Sequence, residues 1–373
     1  MTFFFIVFVI FFVYVGSILL FIIGNFRNSA PTTKRQDNSV SVIVAVRNGE
    51  RSLQNLLLAL SRQNYGGKLE FIIVDDESTD NTENIILHFS AHDDRFKYVS
   101  SQNSVTPGLS HKKRALDAGI IRSDGDILLF TDVDCRMGEH WVQTMASYFT
   151  ESVDYVIGFT QANPKKSIAS IFQAVDLHML MACTRGTTQL GFPLASTGQN
   201  QAYKRQVFEK SGGYSLLKDH LQGDDSLFLQ IARSRSGATV VFASSSDSFV
   251  TGRTETSWRQ LLRQRIRWAG DTALMWKYNR LFFLYLAVVF LTNVMIFLSL
   301  FGFYSSSILA LLLIIKFGSE YAFFHFSKSQ FNSNLRWSSF VIWFVINIPY
   351  IVAMGTMSAF GSKFTWHGRK LQT

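Results

Sequence analysis

The stretch LLFTDVD at residues 128–134 decides the fold, because an apolar run leads directly into two carboxylates. The stretch IIVDD at residues 72–76 repeats this arrangement earlier in the chain. Short apolar runs of this kind are typical of strands buried in a parallel sheet. The carboxyl ends of such strands meet at one edge of the sheet, where ligands bind. Both stretches therefore predict an α/β sheet with acidic side chains at its ligand-binding edge.

The central part of the chain, residues 38–252, alternates apolar runs with polar segments of helical spacing. This alternation predicts a Rossmann-like, mixed but mainly parallel sheet with helices on both faces. The predicted strands and helices alternate along the chain. The strands cover residues 40–46, 69–74, 126–130 and 155–158, and the helices cover residues 50–62, 80–91, 112–122 and 139–149.

Apolar residues make up 47% of the 373 residues, enough for one domain of ordinary size and several membrane-spanning helices. Residues 3–24 carry no charge and would form a helix of roughly 33 Å, long enough to cross the hydrocarbon core of a bilayer. A cleaved signal peptide is the alternative, but the stretch lacks a basic first region and a small-residue cleavage site. We therefore expect an N-terminal transmembrane anchor at residues 1–26.

Three further spans are expected in the C-terminal region, at residues 281–303, 305–324 and 338–360. The middle span holds Lys316 and Glu320, which are four residues apart on one helical face. Two such groups inside a membrane either pair with each other or mark a path for an acceptor.

The formal net charge of +9 does not predict a nucleic-acid partner, because the basic residues gather beside the apolar spans. Arg27, Lys34 and Arg35 follow the anchor, which places the central region on the cytoplasmic side of a cell membrane by the positive-inside rule. Four spans in a multi-pass protein would then place the basic tail, residues 363–370, on the opposite side, against that rule. Cys135 and Cys183 have no CxxC partner, so neither a disulfide framework nor a zinc site is expected.

Two acidic clusters follow the predicted strands. Asp75 and Asp76 lie where carboxylates can accept hydrogen bonds from a base or a ribose, although helix capping is the alternative role for acids at such a position. Asp132 and Asp134 are two residues apart, so in an extended segment both side chains face the same way. Such a pair suits a hard cation, Mg²⁺ or Mn²⁺, with its bound diphosphate, and a surface turn is the alternative.

A basic segment and a third acidic cluster lie beyond these strands. Lys112 opens a predicted helix, where a cation is misplaced against the helix dipole unless it holds an anion, although a solvated basic face is as common. Asp224 and Asp225 precede another helix, so each either caps it or serves as a general base.

The stretch QRIRW at residues 264–268 lies on a predicted helix at residues 257–270. Gln264, Arg267 and Trp268 share one face of that helix, which offers an amide, a guanidinium and an aromatic ring together. An amphipathic helix at the membrane surface is the alternative, and both roles are compatible.

Taken in order, these clusters resemble the family 2 glycosyltransferases, the group with the cellulose, chitin and hyaluronan synthases and ceramide glucosyltransferase. The resemblance runs from residue 40 to residue 268, and the Gln-x-x-Arg-Trp pattern is its most specific element. It implies a GT-A fold and assigns a role to each cluster. Asp75, Asp76, Lys112 and Asp132 would bind the nucleotide sugar, Asp132 and Asp134 the metal, Asp225 with Asp224 would carry the catalytic base, and Gln264, Arg267 and Trp268 would bind acceptor and diphosphate.

The chain departs from the family pattern at three places. Position 224 carries Asp where Glu is usual, which affects the acceptor geometry. The first strand ends in AVRN at residues 45–48 instead of Pro-x-Tyr-Asn, and Asp117 replaces a frequent Asn. The last two differences concern only donor contacts.

The resemblance implies a membrane-bound, inverting transfer of a sugar from a nucleotide sugar, with a UDP-hexose as the expected donor. The acceptor would be a lipid or a growing polysaccharide. Residues 27–38 would form a linker, 39–256 the catalytic domain, 257–280 an interfacial helix region and 281–373 the C-terminal spans. A membrane transporter or channel is the alternative, but it leaves the acidic clusters without a role. A dinucleotide-dependent oxidoreductase would need a GxGxxG after the first strand, and none is present.

Overall fold

The computed structural model describes residues 2–27, 31, 38–220, 222–269, 274–302, 305–359, 364–366 and 369–371. Most of the predicted linker, Gly270 at the end of one predicted helix, and the predicted span ends at 303 and 360 lie outside these residues. The chain forms two compact units. We call them the helical unit, comprising Met1–Arg27, Ala162–Leu194 and Thr254–Thr373, and the sheet unit, comprising Asn28–Gln161 and Ala195–Arg253.

The secondary structure comprises helices α1–α13 and strands β1–β12 within the described residues. The helices are α1 (Thr2–Asn25), α2 (Glu50–Ser61), α3 (Thr82–His92), α4 (His111–Arg122), α5 (Trp141–Ala146), α6 (Ile168–Gln189), α7 (Arg205–Ser211), α8 (Ser226–Ser236), α9 (Trp258–Ala269), α10 (Met275–Tyr278), α11 (Arg280–Ser299), α12 (Ser306–Gln330) and α13 (Trp337–Ala359). The strands are β1 (Val40–Val46), β2 (Leu69–Asp75), β3 (Phe96–Ser100), β4 (Ile127–Phe130), β5 (Arg136–Met137), β6 (Tyr155–Gly158), β7 (Thr160–Ala162), β8 (Gln201–Lys204), β9 (Val240–Ala243), β10 (Val250–Gly252), β11 (Phe364–Trp366) and β12 (Arg369–Leu371).

The sheet unit is built on a seven-stranded sheet with the order β3-β2-β1-β4-β8-β6-β9. All neighbouring strands run parallel except at β8, which is antiparallel to both β4 and β6. The predicted mixed, mainly parallel sheet is therefore confirmed. Because β1, β2 and β4 are parallel, Val46, Asp75 and Phe130 end at the same edge, and Gln201 of β8 begins there, paired with Phe130.

The core of the sheet unit forms because the central strands are apolar on both faces. Every residue of β4 is buried, as in a strand covered by helices on both sides. The helix α2 turns Leu53, Leu56, Leu57 and Leu60 into the core at helical spacing. Residues 139–149, predicted as one helix, form the shorter helix α5, which ends in a hydrogen-bonded turn at Ser147.

Within the described residues, the helical unit contains four helices long and apolar enough to cross a membrane, judged by length and composition: α1, α11, α12 and α13. Inside it, α1 and α6 cross closely at Gly24 and Gly186. A Cβ placed on Gly24 would come within 2.1 Å of the Gly186 carbonyl oxygen, so only glycine permits this approach. Near the crossing, the buried Arg185 donates to the carbonyl oxygen of Asn25 at 2.7 Å, at the C-terminal end of α1.

Lys316 and Glu320 pair with each other on α12, with Nζ 2.6 Å from Oε1. Both side chains are buried, and the hydroxyl of Tyr14 on α1 also donates to Glu320. The sequence left open whether these two groups pair with each other or mark an acceptor path. The structure shows that they pair. The apolar stretch at residues 168–181 belongs to α6, which is buried along most of its length.

Candidate active site

The two acids that follow β2 have different surroundings. Asp75 accepts a hydrogen bond from the backbone N–H of Ser78 at 3.1 Å, so it caps the turn after the strand. Asp76 extends the sheet by donating its N–H to the Val46 carbonyl at 2.8 Å, and Arg47 donates to its carbonyl oxygen at 2.7 Å. Oδ2 of Asp76 is buried, and no described residue donates a hydrogen bond to it. Asp76 thus keeps an acceptor at the ligand edge.

Asp132 and Asp134 follow β4 in a turn rather than in extended backbone. The N–H of Cys135 donates to the Asp132 carbonyl at 3.1 Å, which closes the turn. The expectation of an extended segment was therefore wrong, because this hydrogen bond bends the chain between β4 and β5. The carboxylates are nevertheless close enough that the charge of Asp132 helps to raise the pKa of Asp134.

The first turn of α4 is the point where the three acidic clusters of the sheet unit meet. Nζ of Lys112 lies 2.8 Å from Oδ1 of Asp132 and 3.0 Å from Oδ2 of Asp224. Two residues further on, Arg114 reaches Oδ1 of Asp76 at 3.2 Å. The first turn of α4 contains no acidic residue, and its Lys112 and Arg114 instead hold carboxylates from other elements. One short basic segment therefore connects side chains that lie far apart in the sequence.

Asp225 both caps a helix and lies beside this cluster. Its Oδ1 accepts the N–H of Ser226 at 2.5 Å at the start of α8, and its Oδ2 accepts the N–H of Gly198 at 3.3 Å. A Cβ on Gly198 would lie 3.0 Å from Nζ of Lys112, 3.1 Å from Oδ2 of Asp224 and 3.9 Å from Oδ2 of Asp225. The capping role is thus present, and one oxygen of Asp225 still faces the polar cluster.

Burial and mutual charge shift the pKa values of these groups. Burial and the neighbouring Asp132 raise the pKa of Asp134 to about 6. Burial and the neighbouring Asp224 raise the pKa of Asp225 to about 6. Burial alone would raise the pKa of Asp224, but its attraction to Lys112 lowers it below the ordinary value. At neutral pH the site therefore holds a firmly ionised carboxylate, Asp224. Beside it lies Asp225, whose pKa is close enough to neutral for the group to gain or lose a proton.

The loop at residues 196–201 is the part of the site that sequence reasoning missed. Gln201 donates from Nε2 to the carbonyl oxygen of Asp224 at 3.0 Å. Ser196 and Ser226 exchange two hydrogen bonds of 3.1 Å, which fix the loop against the start of α8. The only signal in the sequence is a polar run around Gly198 before a short strand, and such a run is also typical of an ordinary loop.

Gln264, Arg267 and Trp268 lie together on α9, in the helical unit. Trp268 is 39% exposed, and Gln264 and Arg267 are half-buried. Between them in the sequence, Arg265 is buried and lies 4.2 Å from the centre of the Trp268 ring. Its guanidinium also contacts Oδ2 of Asp176 on α6 at 2.8 Å. Asp176 and Arg265 thus hold Trp268 in place, and neither was predicted to do so.

The structure thus brings Lys112, Asp132, Asp224 and Asp225 together in the sheet unit, with Asp134 beside Asp132. Across the described residues, no group of three histidine, cysteine, aspartate or glutamate side chains is arranged to hold a metal ion by itself. The part that α9 takes in an acceptor site stays a prediction.

A mainly parallel sheet with paired carboxylates at its ligand edge is the architecture of a GT-A glycosyltransferase. The sequence model of glycosyl transferase family 2 matches residues 41–212, and that of glycosyl transferase family group 2 matches residues 127–357. The second match covers more than half of the chain, so the chain belongs to the family 2 glycosyltransferases and is an enzyme. The predicted family and fold are confirmed, and the enzyme class replaces the transporter and oxidoreductase alternatives.

Individual relatives agree with this assignment. A probable glycosyltransferase of Bacillus subtilis, YdaM, is 28% identical over 257 residues, which is 65% of this chain and 58% of that protein. The beta-monoglucosyldiacylglycerol synthase of Nostoc is 26% identical over 179 residues, 47% of this chain and 38% of that protein. The matched segments thus span less than two thirds of either relative.

Among solved structures, the mannosyltransferase PcManGT of Pyrobaculum calidifontis, in complex with GDP-Man and Mn²⁺, is similar over 95% of this chain and 98% of its own. The TM-score is 0.61 and the sequence identity is 17%, so the similarity is one of fold.

Proposed function

We propose that the protein is a membrane-bound, inverting glycosyltransferase that moves a sugar from a nucleotide sugar to a lipid acceptor and forms a β-glycosidic bond. The convergence of Asp132, Asp224 and Asp225 on Lys112 carries this proposal. It supports a donor-binding site and a general base within one small region. A direct displacement of the nucleoside diphosphate by the acceptor requires both to be close together.

Asp132 and Asp134 fit a divalent cation, Mg²⁺ or Mn²⁺. Their oxygens are the hard ligands that such ions prefer. Burial, together with the charge of Asp132 that the nearby cations do not fully balance, raises the pKa of Asp134. The remaining ligands would come from water and from the donor phosphates. When bound, the cation would offset charge on the departing diphosphate. The Mn²⁺ in the PcManGT complex supports this role.

Asp225 is the proposed general base. Its Oδ2 is oriented by the N–H of Gly198, and its pKa of about 6 suits a group that must accept a proton near neutral pH. Asp225 takes the proton from the acceptor hydroxyl as the hydroxyl oxygen attacks the anomeric carbon. The bond to the nucleoside diphosphate breaks in the same step, so an α-linked donor gives a β-linked product. Lys112 neutralises charge on the diphosphate, while Asp75 and Asp76 bind the nucleoside.

The acceptor is proposed to be a lipid that the helical unit binds from the bilayer. Four candidate spans and the exposed Trp268 of α9 suit a substrate that lies in a bilayer. Several relatives carry lipid acceptors in their names, including the Nostoc diacylglycerol enzyme and a glucosyltransferase of Campylobacter jejuni that acts on an undecaprenol-linked sugar. Gln264 and Arg267, on the same helix, would bind the acceptor and the leaving diphosphate.

The proposed topology keeps residues 39–256 on the cytoplasmic side of the cell membrane, with spans at residues 1–26 and 281–373. Residues 257–280, which contain α9, would lie at the membrane surface. The basic residue Arg27 after α1 and the basic α9 support this orientation, because positive charge favours the cytoplasmic face.

The test is to incubate membranes that contain the protein with labelled UDP-hexoses and GDP-mannose, with and without Mn²⁺ or Mg²⁺. We expect metal-dependent label in the lipid extract and release of the product by a β-glycosidase. Label in insoluble polymer would identify a polysaccharide acceptor instead. Transfer that persists in a chelator, or a product cleaved only by an α-glycosidase, would contradict the proposed mechanism.

A further inference from the structure

Lys112 differs from its neighbour Lys113 in how firmly it is held. Lys113 is buried, and its Nζ donates to the backbone carbonyls of His220 and Gln222, so it fixes the loop before Asp224. The side chain of Lys112 is 30% exposed, and its Nζ contacts carboxylate oxygens of Asp132 and Asp224. A lysine with a flexible stem and partial access to water can exchange partners without unfolding its surroundings.

Both partners of Lys112 belong to the proposed chemistry. Asp132 lies in the predicted metal site, and its Oδ1 is 2.8 Å from Nζ. Asp224 adjoins the proposed base, and its Oδ2 is 3.0 Å from the same nitrogen. An ammonium group at this distance competes with a divalent cation for the same carboxylate oxygen. The same ammonium group also neutralises Asp224, which precedes the proposed base Asp225 in the sequence.

We propose that Lys112 is an exchangeable counter-ion that competes with the divalent cation for Asp132 and moves to the diphosphate when the donor binds. This inference rests on the proposed function, because it takes Asp132 as a metal ligand. The positive charge of Lys112 weakens binding of the cation alone. A nucleoside diphosphate draws the charge away, so metal and nucleotide bind cooperatively and the cation is retained only with the donor.

The small residue at position 198 is consistent with this movement. A Cβ on Gly198 would lie only 3.0 Å from Nζ of Lys112, so a larger residue would press on the ammonium in its present position. Glycine keeps this space beside the ammonium open, and the N–H of Gly198 still binds Asp225.

The experiment measures Mn²⁺ binding to the full-length protein in detergent by electron paramagnetic resonance, without nucleotide. Lys112→Met is expected to bind Mn²⁺ about tenfold more tightly than the wild type, since couplings of this kind are commonly 5–150-fold. Lys112→Gln removes the charge but keeps a hydrogen-bond donor, and it should change the affinity in the same direction even if Lys112→Met folds poorly. Lys112→Arg keeps the charge and should leave the affinity near that of the wild type.

The matched control is Lys204→Met, which removes another lysine of the sheet unit, 3.1 Å from Asp154. It should not change Mn²⁺ affinity. Unchanged or weaker affinity in both charge-free Lys112 variants would overturn the inference. A separate measurement with added UDP or GDP tests the proposed function: wild-type protein that binds Mn²⁺ neither with nor without nucleotide would refute the metal site itself. Binding that strengthens with nucleotide in the wild type, and less so in Lys112→Met, supports the exchange.

Discussion

The ion pair on α12 in the helical unit and the two carboxylates Asp134 and Asp225 in the sheet unit balance buried charge in different ways. In the described part of the helical unit the buried Glu320 has a close cation, Lys316, at 2.6 Å. In the sheet unit Asp134 and Asp225 have pKa values raised to about 6, because burial and neighbouring carboxylates outweigh the nearby cations.

The difference separates groups that hold the fold together from groups that are held ready for a ligand. A buried pair with matched charges is costly to break and has no need of a further ion. Carboxylates whose charge is incompletely balanced are destabilising by themselves, and a cation or a substrate proton relieves them. Removing the charge of Lys316 and removing that of Asp134 should therefore have opposite effects on stability.

The largest effect is expected at Asp225. Replacement by Asn keeps the shape and the cap on Ser226 but removes the proton acceptor, so the transfer rate should fall by about 10³-fold. Binding of nucleotide and Mn²⁺ should persist, because Asp225 is not among the proposed ligands of either. Rates with a labelled donor and calorimetric titration with the nucleoside diphosphate measure the two effects separately.

Asp154→Asn provides a control for loss of an acid elsewhere in the sheet unit, since Asp154 pairs with Lys204. It should transfer sugar at close to the wild-type rate. Turnover by Asp225→Asn within a factor of ten of the wild type would show that another group takes the proton.

The second effect is expected on stability, at the matched pair of α12. Lys316→Met leaves Glu320 buried without its cation and should destabilise the protein by about 3 kcal/mol. Thermal unfolding in detergent micelles measures this as a lower midpoint temperature.

The double variant Lys316→Met with Glu320→Gln removes both charges and should recover most of the loss. The recovery is not complete, because the Tyr14 hydroxyl loses a charged acceptor. Equal destabilisation in the single and double variants would show that the two charges are not coupled, and the contrast between the units would then be wrong.

The third effect is on the pH dependence of transfer. A base must be deprotonated to act, and the pKa of Asp225 is raised to about 6, so the rate should be full above pH 7 and fall as pH decreases through 6. At pH 5 about one tenth of the rate should remain. Initial rates at saturating donor across this range test the expectation.

Asp224→Asn separates this titration from that of Asp134. The charge of Asp224 contributes to the raised pKa of Asp225, whereas Asp132 is the acid that raises the pKa of Asp134. In Asp224→Asn the midpoint of the rate profile should move to lower pH. A midpoint that stays near 6 would assign the titration to a group other than Asp225.

Much of the fold could be predicted because its central elements follow local rules. The strands β1 and β6 match their predicted ranges, since short apolar runs buried on both faces leave few other structures open to them. The helix α4 was predicted to within one residue at its start, and the four apolar helices fall on the expected segments. Once these strands are predicted, the carboxylates that follow them in the sequence are placed at the strand ends.

The remaining features depend on contacts between distant residues. The strand β8 is four residues long and polar at both ends, so nothing local marks it, and its antiparallel place depends on β4 and β6. The hydrogen bond from Gly198 to Asp225 likewise needs the folded loop. Asp176 was visible as an acid in an apolar segment, but its partner Arg265 is 89 residues further along the sequence and could not be paired with it in advance.

The smallest effect is the most direct test of the contrast, and it concerns Asp134. Burial and Asp132 raise its pKa to about 6, so above that pH its ionised form opposes folding. Asp134→Asn removes this charge and should stabilise the metal-free protein at pH 7.5 by about 1 kcal/mol, the opposite sign to Lys316→Met. The gain should shrink as pH falls below 6, because the wild-type carboxyl is then protonated and neutral like the amide.

The same variant should lose the stabilisation that Mn²⁺ with a nucleoside diphosphate gives to the wild type, because a proposed metal ligand is gone. Thermal unfolding in EDTA and in Mn²⁺ with nucleotide, at pH 7.5 and pH 5, measures all of these changes. A lower unfolding temperature for Asp134→Asn in EDTA at pH 7.5 would mean that this carboxylate is matched after all, as Glu320 is.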